Sequence, residues 1–220
     1  MSKHDMTVQY DAIGGAGLRF FGQVSASIAH EIKNVLAIIN ENAGLLEDLT
    51  FAARKGSAID PERLNKACQQ FSKQIERADE IMKNMSSFAH SVDSFTADIN
   101  LYEVANLVAN LAGRKAAMRK LTIRVDTPKA PVIISGNPFL LQNLIWLCLE
   151  FAIGATDAGA TLHCSAGKED TRVSLRIGGI SGLGGDFSAR MPAGHKDLLA
   201  ALGAELSADL NRQELVVHLF

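Results

Sequence analysis

The stretch PERLNKACQQFSKQIERADEIMKNMSSFA, residues 61–89, decides how the first part of this chain folds. Its apolar positions are Leu64, Cys68, Phe71, Ile75, Ala78, Met82, Met85 and Ala89. The steps between them alternate four and three, which predicts a heptad seam along one face of a long helix. Asp60-Pro61 opens that helix, with Asp60 as N-cap and a proline at the first helical position, where no N–H is needed. Upstream, Phe21, Val24, Ile28, Ile32, Val35, Ile39 and Leu46 keep a second helical stripe. Between the two, Arg54-Lys55-Gly56-Ser57-Ala58 carries a helix-stopping glycine. Residues 17–93 therefore read as an antiparallel hairpin of two long helices.

A lone hairpin of this kind has two apolar seams and no third layer. Two copies packed as a four-helix bundle would bury both, so a homodimer is expected. The C-terminal half of the chain is the other element that could cover part of the seam. On periodicity alone, a structural coiled-coil dimer with no chemistry is the better reading.

Beyond residue 96 the pattern changes. Asn100 to about Ala117 is helical, through Leu101, Val104, Leu107, Val108 and Leu111. Leu121–Val125 and Val132–Ser135 read as strands, and Asn137-Pro138 caps a helix through Leu141, Leu144, Ile145 and Leu149. Alternating stretches follow at Thr161–Ser165, Thr171–Ile177 and Glu214–Phe220, with a short helix over Lys196–Leu202. The expected class is α+β: a dimerising hairpin followed by an α/β sandwich with helices on one face of a mixed sheet. The expected divisions are an N-terminal segment over residues 1–16, the hairpin over 17–95 and the sandwich over 96–220.

Composition narrows the class. The 220 residues are 47% hydrophobic and 21% charged, enough to bury a core, with a net charge of -2. Without a long basic run, nucleic acid is not the expected partner. Cys68, Cys148 and Cys164 are widely spaced and read as reduced thiols. The longest apolar run, Leu144–Leu149, is too short to cross a membrane, and Met1 to Ala16 has no signal-peptide core. A cytoplasmic protein with no membrane partner is expected.

One histidine stands apart. With Ile28 at the centre of the first helix's stripe, Ile32 and Val35 fall within roughly 40° of it at about 100° per residue. His30 falls about 200° away, facing water. Ala26, Asn34 and Ala37 share that outward side, one and two turns from His30, and leave room for a partner. The remaining histidines carry no such context. His4 lies at the terminus, His90 at the end of the second helix, and His163, His195 and His218 share no metal-ligand spacing.

The string His30-Glu31-Ile32-Lys33-Asn34-Val35-Leu36 resembles the H-box of sensor histidine kinases, H-E-[IL]-[KR]-N-x-L, at every position. It lies mid-way along the first of two long helices, where that family carries it. More weakly, Asp98-Ile99-Asn100-Leu101 resembles the start of the family's ATPase-like domain. Leu140-Leu141-Gln142-Asn143-Leu144 resembles the lead-in to its nucleotide-binding helix. The resemblance implies that His30 is the phosphoryl acceptor, since a neutral imidazole is nucleophilic near neutral pH. It assigns to Glu31 the carboxylate that stabilises the ring during transfer, and to Asn34 the orientation of a water that hydrolyses a partner's aspartyl phosphate. Lys33 is near enough to offset phosphate charge, and a solvated lysine is an equal reading.

The family's nucleotide motifs are altered. Where it has N-x-x-x-N-A, this chain has Trp146-Leu147-Cys148-Leu149-Glu150-Phe151, so Trp146 and Glu150 replace the two asparagines and Phe151 the small alanine. Glu150 could still meet a metal. Where D-x-G-x-G follows a strand, Gly178 stands for the aspartate in Gly178-Gly179-Ile180-Ser181-Gly182. Met191-Pro192-Ala193-Gly194-His195 occupies the region of the phosphate-binding glycines. An intact phosphorylatable hairpin beside such a domain resembles the dimeric two-domain histidine phosphotransferases of bacterial phosphorelays. That implies transfer between response-regulator aspartates, no cofactor on this chain, and Mg2+ supplied by the partner receiver domain. The other readings are a phosphatase or pseudokinase using Glu31 and Asn34, a non-catalytic scaffold, and a kinase with a divergent site.

Overall fold

A computed structural model describes residues 3–169 and 172–220 of the chain, with side chains from 14–168 and 172–220. Helix α1 runs Lys3–Arg54 and α2 Pro61–Ala89, joined by a turn in which Gly56 has φ +93. Asp60 caps α2 as expected, its Oδ1 accepting from the Glu62 N–H at 2.9 Å. His4 lies outside the described side chains, although the α1 backbone continues through it.

The chain packs as two compact units: Ser25–Ser86, and the residues up to Val24 together with Ser87–Phe220. These divisions differ from the expected ones at 17 and 96, because the start of α1 packs with the C-terminal half.

In the hairpin unit, α1 buries Ile28 and Val35. The side of α2 buried in the hairpin is Ala67, Gln74 and Ile81, a strict seven-residue repeat. The series through Leu64, Cys68, Phe71, Ile75 and Met82 is the neighbouring stripe, and much of it faces outward, with Ile75 55% and Met82 57% exposed. Seven-residue spacing is satisfied by either stripe, so the period could not say which one faces α1. Gln74 is an interruption in the buried stripe, and its Oε1 has no hydrogen-bond partner.

The second unit begins with β1 (Ala97–Asn100), which the sequence did not reveal, and α3 (Leu101–Met118), capped by Asn100 accepting from the Tyr102 N–H. Strands β2 (Thr122–Asp126) and β3 (Ile133–Gly136) precede α4 (Pro138–Ala155). The chain continues through β4 (Thr161–Glu169), β5 (Arg172–Gly178), the short α5 (Phe187–Arg190), α6 (His195–Leu202), β6 (Ala204–Asp209) and β7 (Glu214–Leu219). β1 and β3 pair antiparallel, and the main sheet has the order β2-β4-β5-β7-β6. Only β2 and β4 within it are parallel, so the sheet is mixed. Helices α3, α4 and α6 pack side by side and against the sheet as one layer. The unexpected α5 is a single turn, and β6 alternates but with two alanines among its three apolar positions, a weaker signal than the Val, Leu and Ile of β5 and β7.

Helix α4 is the core of this unit. Every residue from Leu141 to Leu149 is buried, as a helix apolar all round must be. By length and composition α4 would be able to cross a membrane, which the six-residue run had not suggested, but 67% of it is buried inside the unit. Cys148 and Cys164 are buried here, and burial pushes both thiols up to about 12. Each therefore stays protonated over the whole physiological range.

Candidate functional site

In the hairpin unit, His30 is exposed on the outward face of α1. Ala26, Lys33, Asn34 and Ala37 are exposed beside it, while Val35 is buried and Ile32 half-buried on the opposite side. The helical count thus placed the ring correctly: small or polar residues flank it one and two turns away.

Glu31 turns a different way. One residue further round the helix, it sits in the crevice between α1 and α2 with its side chain only 20% exposed. Its Oε2 lies 3.8 Å from Arg77 Nη2 of α2. The H-box residues give no indication of this partner, because the pairing depends on which turn of α2 lies opposite Glu31.

The altered motifs of the second unit come together around α4, and apolar or paired side chains fill the space. Trp146 is buried against Phe20 of α1, ring centroids 5.6 Å apart. Phe20 in turn meets Phe88 edge-on at 5.2 Å and Phe139 at 5.6 Å. Trp146 Nε1–H donates to Gln23 Oε1 at 3.0 Å. A tryptophan at this position is thus an anchor for the start of α1, with both its apolar body and its single donor satisfied. Trp146→Ala should destabilise this unit by about 3–5 kcal/mol, whereas Trp146→Phe should cost about 1 kcal/mol by losing the Gln23 bond. Thermal unfolding followed by near-ultraviolet dichroism measures both, and equal effects would show that the hydrogen bond, not the packing, is dominant.

Glu150 stands in an ion pair. Its Oε1 accepts from Lys115 Nζ of α3, and that ammonium also lies 5.4 Å from the Trp146 ring. The internal cation occupies the carboxylate that the sequence left as a possible ligand. No group of three His, Cys, Asp or Glu side chains suited to a metal occurs among the described residues.

The glycine-rich segment after β5 has a packing role. Gly179 has φ +84, and a Cβ there would stand 2.5 Å from the Thr161 carbonyl oxygen. At Gly182 a Cβ would stand 2.4 Å from the Ala155 carbonyl oxygen, which the Gly182 N–H bonds at 2.8 Å. Both glycines are needed because the loop lies flush against the end of α4 and the start of β4. Gly178 is pressed by Glu214, whose Cγ would be 3.1 Å from an added Cβ. Ile180, Leu183 and Met191 are buried. Arg190 stands 5.4 Å from the Phe151 ring and donates to the Gly182 carbonyl at 3.1 Å.

The other histidines have local partners or none of catalytic type. His195 is buried and donates Nδ1–H to the Pro192 carbonyl at 2.9 Å. His218 Nε2 pairs with Ser207 Oγ at 2.9 Å, and His90 Nδ1 with Asp93 Oδ2 at 2.8 Å. His163 is exposed on β4.

The fold therefore joins a two-helix hairpin bearing an outward histidine to a sandwich of a mixed sheet and one helical layer. No family model matches the sequence, and no curated protein matches it. Among solved structures it is similar to the histidine kinase AdeS of Acinetobacter baumannii, at 13% identity and TM-score 0.48, over 86% of this chain and 96% of that one. It is also similar to a bacterial phosphotransferase, at 16% identity and TM-score 0.46, over 91% of this chain and 95% of that one. A third is a histidine kinase from Burkholderia phymatum STM815, at 14% identity and TM-score 0.43, over 87% and 95%. At such identities and scores these likenesses carry none of the functional reading, which rests on the residues themselves.

Proposed function

We propose that this chain is a histidine phosphotransferase of a two-component phosphorelay, passing phosphoryl groups between response-regulator aspartates through His30 without using ATP. The observation that carries the reading is the pairing of two conditions: an exposed His30 in a full H-box, and a nucleotide region filled by Trp146, Phe151, Ile180 and the Lys115–Glu150 pair. The outward stripe of α2 through Ile75 and Met82 supports a homodimer through the hairpin. The partners are receiver domains, which supply the aspartate and its Mg2+, and the setting is the cytoplasm.

The chemistry is a displacement at phosphorus. A ring nitrogen of neutral His30 forms the N–P bond as the bond from phosphorus to the aspartate oxygen breaks, the electron pair leaving with the carboxylate. The proton on the other ring nitrogen stays there, and the nearby Glu31 carboxylate stabilises the cationic ring. The return step reverses these events onto a second aspartate. Positioning and charge neutralisation are what the protein must provide. Lys33, exposed three positions from His30, is placed to offset phosphoryl charge.

A second reading rests on Asn34, exposed one turn from His30. There it would orient water against a receiver's phosphate, making the protein a phosphatase. Two parallel incubations separate the readings: one with receiver domains carrying labelled aspartyl phosphate, one with labelled ATP and Mg2+. Transfer predicts acid-labile label on this protein from receivers and none from ATP. Label from ATP would replace the proposal with a divergent kinase. Free phosphate without labelled protein would favour the phosphatase, and no change in either a scaffold.

A further inference from the structure

We propose that Arg77 is a positioning residue for phosphoryl transfer, acting on His30 through Glu31; the inference rests on the phosphotransferase reading above. Arg77 lies on α2, 46 positions from Glu31 in the chain (77 − 31), and belongs to no H-box residue set. Tertiary packing alone brings the two together. Glu80 lies one turn further along α2 as a local alternative, yet the Arg77 guanidinium reaches across to Glu31 on the other helix.

The geometry fits restraint rather than capture. At 3.8 Å the contact is an ion pair beyond hydrogen-bond length. It holds the carboxylate in the crevice between the helices, one residue along the chain from His30, without a hydrogen bond to the guanidinium. A carboxylate in a bidentate arginine pair would keep only about half of its acceptor directions for the histidine ring or a water. Glu31 has three side-chain torsions, and an exposed glutamate would sample many rotamers. Partial burial, at 20% exposure, and the fixed cation select those near the helix crevice. Less ordering is then left for the moment when the receiver arrives. Arg77 itself is 48% exposed, so solvent screens the pair and its value for stability is small. Orientation, not fold stability, is the function that such a pair serves.

The hand-over also needs charge balance. When His30 carries the phosphoryl group, negative charge gathers beside Glu31. Arg77 keeps one positive charge against that carboxylate, which weakens its repulsion of the phosphoryl oxygens, while solvent screening of the half-exposed guanidinium leaves the carboxylate enough charge to steady the cationic ring.

The test measures single-turnover transfer from a labelled receiver to the full chain as a function of receiver concentration. Arg77→Ala should lower the maximal rate about tenfold and leave the half-saturating receiver concentration within about twofold. Arg77→Lys should recover most of the rate, since it returns the charge. In a Glu31→Gln background, Arg77→Ala should change the rate less than about twofold, because the two residues act as one unit. Circular dichroism and light scattering establish that each variant keeps fold and assembly, and Arg77→Lys serves if the alanine variant does not. A change in half-saturation alone would make Arg77 a docking residue and overturn the proposal, as would independent, multiplicative effects of the two substitutions. Failure of the wild-type protein to take label would overturn the phosphotransferase reading and this inference together. Label on wild type with uncoupled Arg77 would overturn the inference only.

Discussion

His30→Ala will take no label from an aspartyl-phosphorylated receiver, while the protein keeps its fold and its assembly. The side chain is exposed on α1, opposite the buried Val35, and therefore contributes little packing. Removing an exposed, unpaired side chain from a helix changes stability by about 0.5 kcal/mol or less, and alanine is a better helix former than histidine. On the proposed reading the chemical effect is complete, since His30 would be the nucleophile and no neighbour replaces it. Ala26, Lys33, Asn34 and Ala37 on the same face hold no nitrogen able to form the phosphorylated intermediate at neutral pH. Denaturing gels at alkaline pH, which preserve phosphohistidine, give the direct measurement. Retention of label in the variant would place the acceptor elsewhere. Loss of label with an unchanged rate of receiver dephosphorylation would replace the carrier by a phosphatase working through Asn34.

Ile75→Asp will abolish the proposed homodimer. Ile75 is 55% exposed on the single hairpin, in the stripe that continues through Phe71, Ala78 and Met82. Within one chain an aspartate there keeps most of its water, so the hairpin itself folds. In a four-helix bundle of two hairpins the same carboxylate would be desolvated twice, once on each copy. An unpaired buried charge costs about 3–5 kcal/mol, so the dissociation constant should rise at least about a hundredfold. Light scattering over a range of protein concentrations reads this out, with dichroism establishing that helicity is kept. An Ile75→Asp protein that stays dimeric would remove the outward stripe from the interface.

The elements that could be read from the residues are those governed by local rules. Asp60-Pro61 and Asn137-Pro138 open α2 and α4 because a capping oxygen and a proline act within one turn. The outward face of His30 follows from a count of 100° per residue over a few positions, so it needed only a continuous helix. The mixed sheet with its helical layer was legible from the alternation in β5 and β7 and the apolar run of α4.

Other features depended on which surfaces meet. Two adjacent seven-residue stripes run along α2, and the choice of Ala67, Gln74 and Ile81 for the inner side belongs to the packing against α1. Trp146 reads as a lost asparagine until Phe20 and Gln23 are placed over it, 126 and 123 positions away in the chain (146 − 20 and 146 − 23). Glu150 reads as a spare ligand until Lys115 reaches it from α3. Gly179 and Gly182 read as remnants of a phosphate loop until the Thr161 and Ala155 carbonyls are found where a Cβ would lie. By itself the sequence determined the helices, their caps and the face that presents His30, because each of those is set by neighbours within a turn. Only the tertiary structure decided what Glu31, Trp146 and Glu150 face, because an ion pair or an aromatic contact is chosen by the chain segment that folding brings opposite.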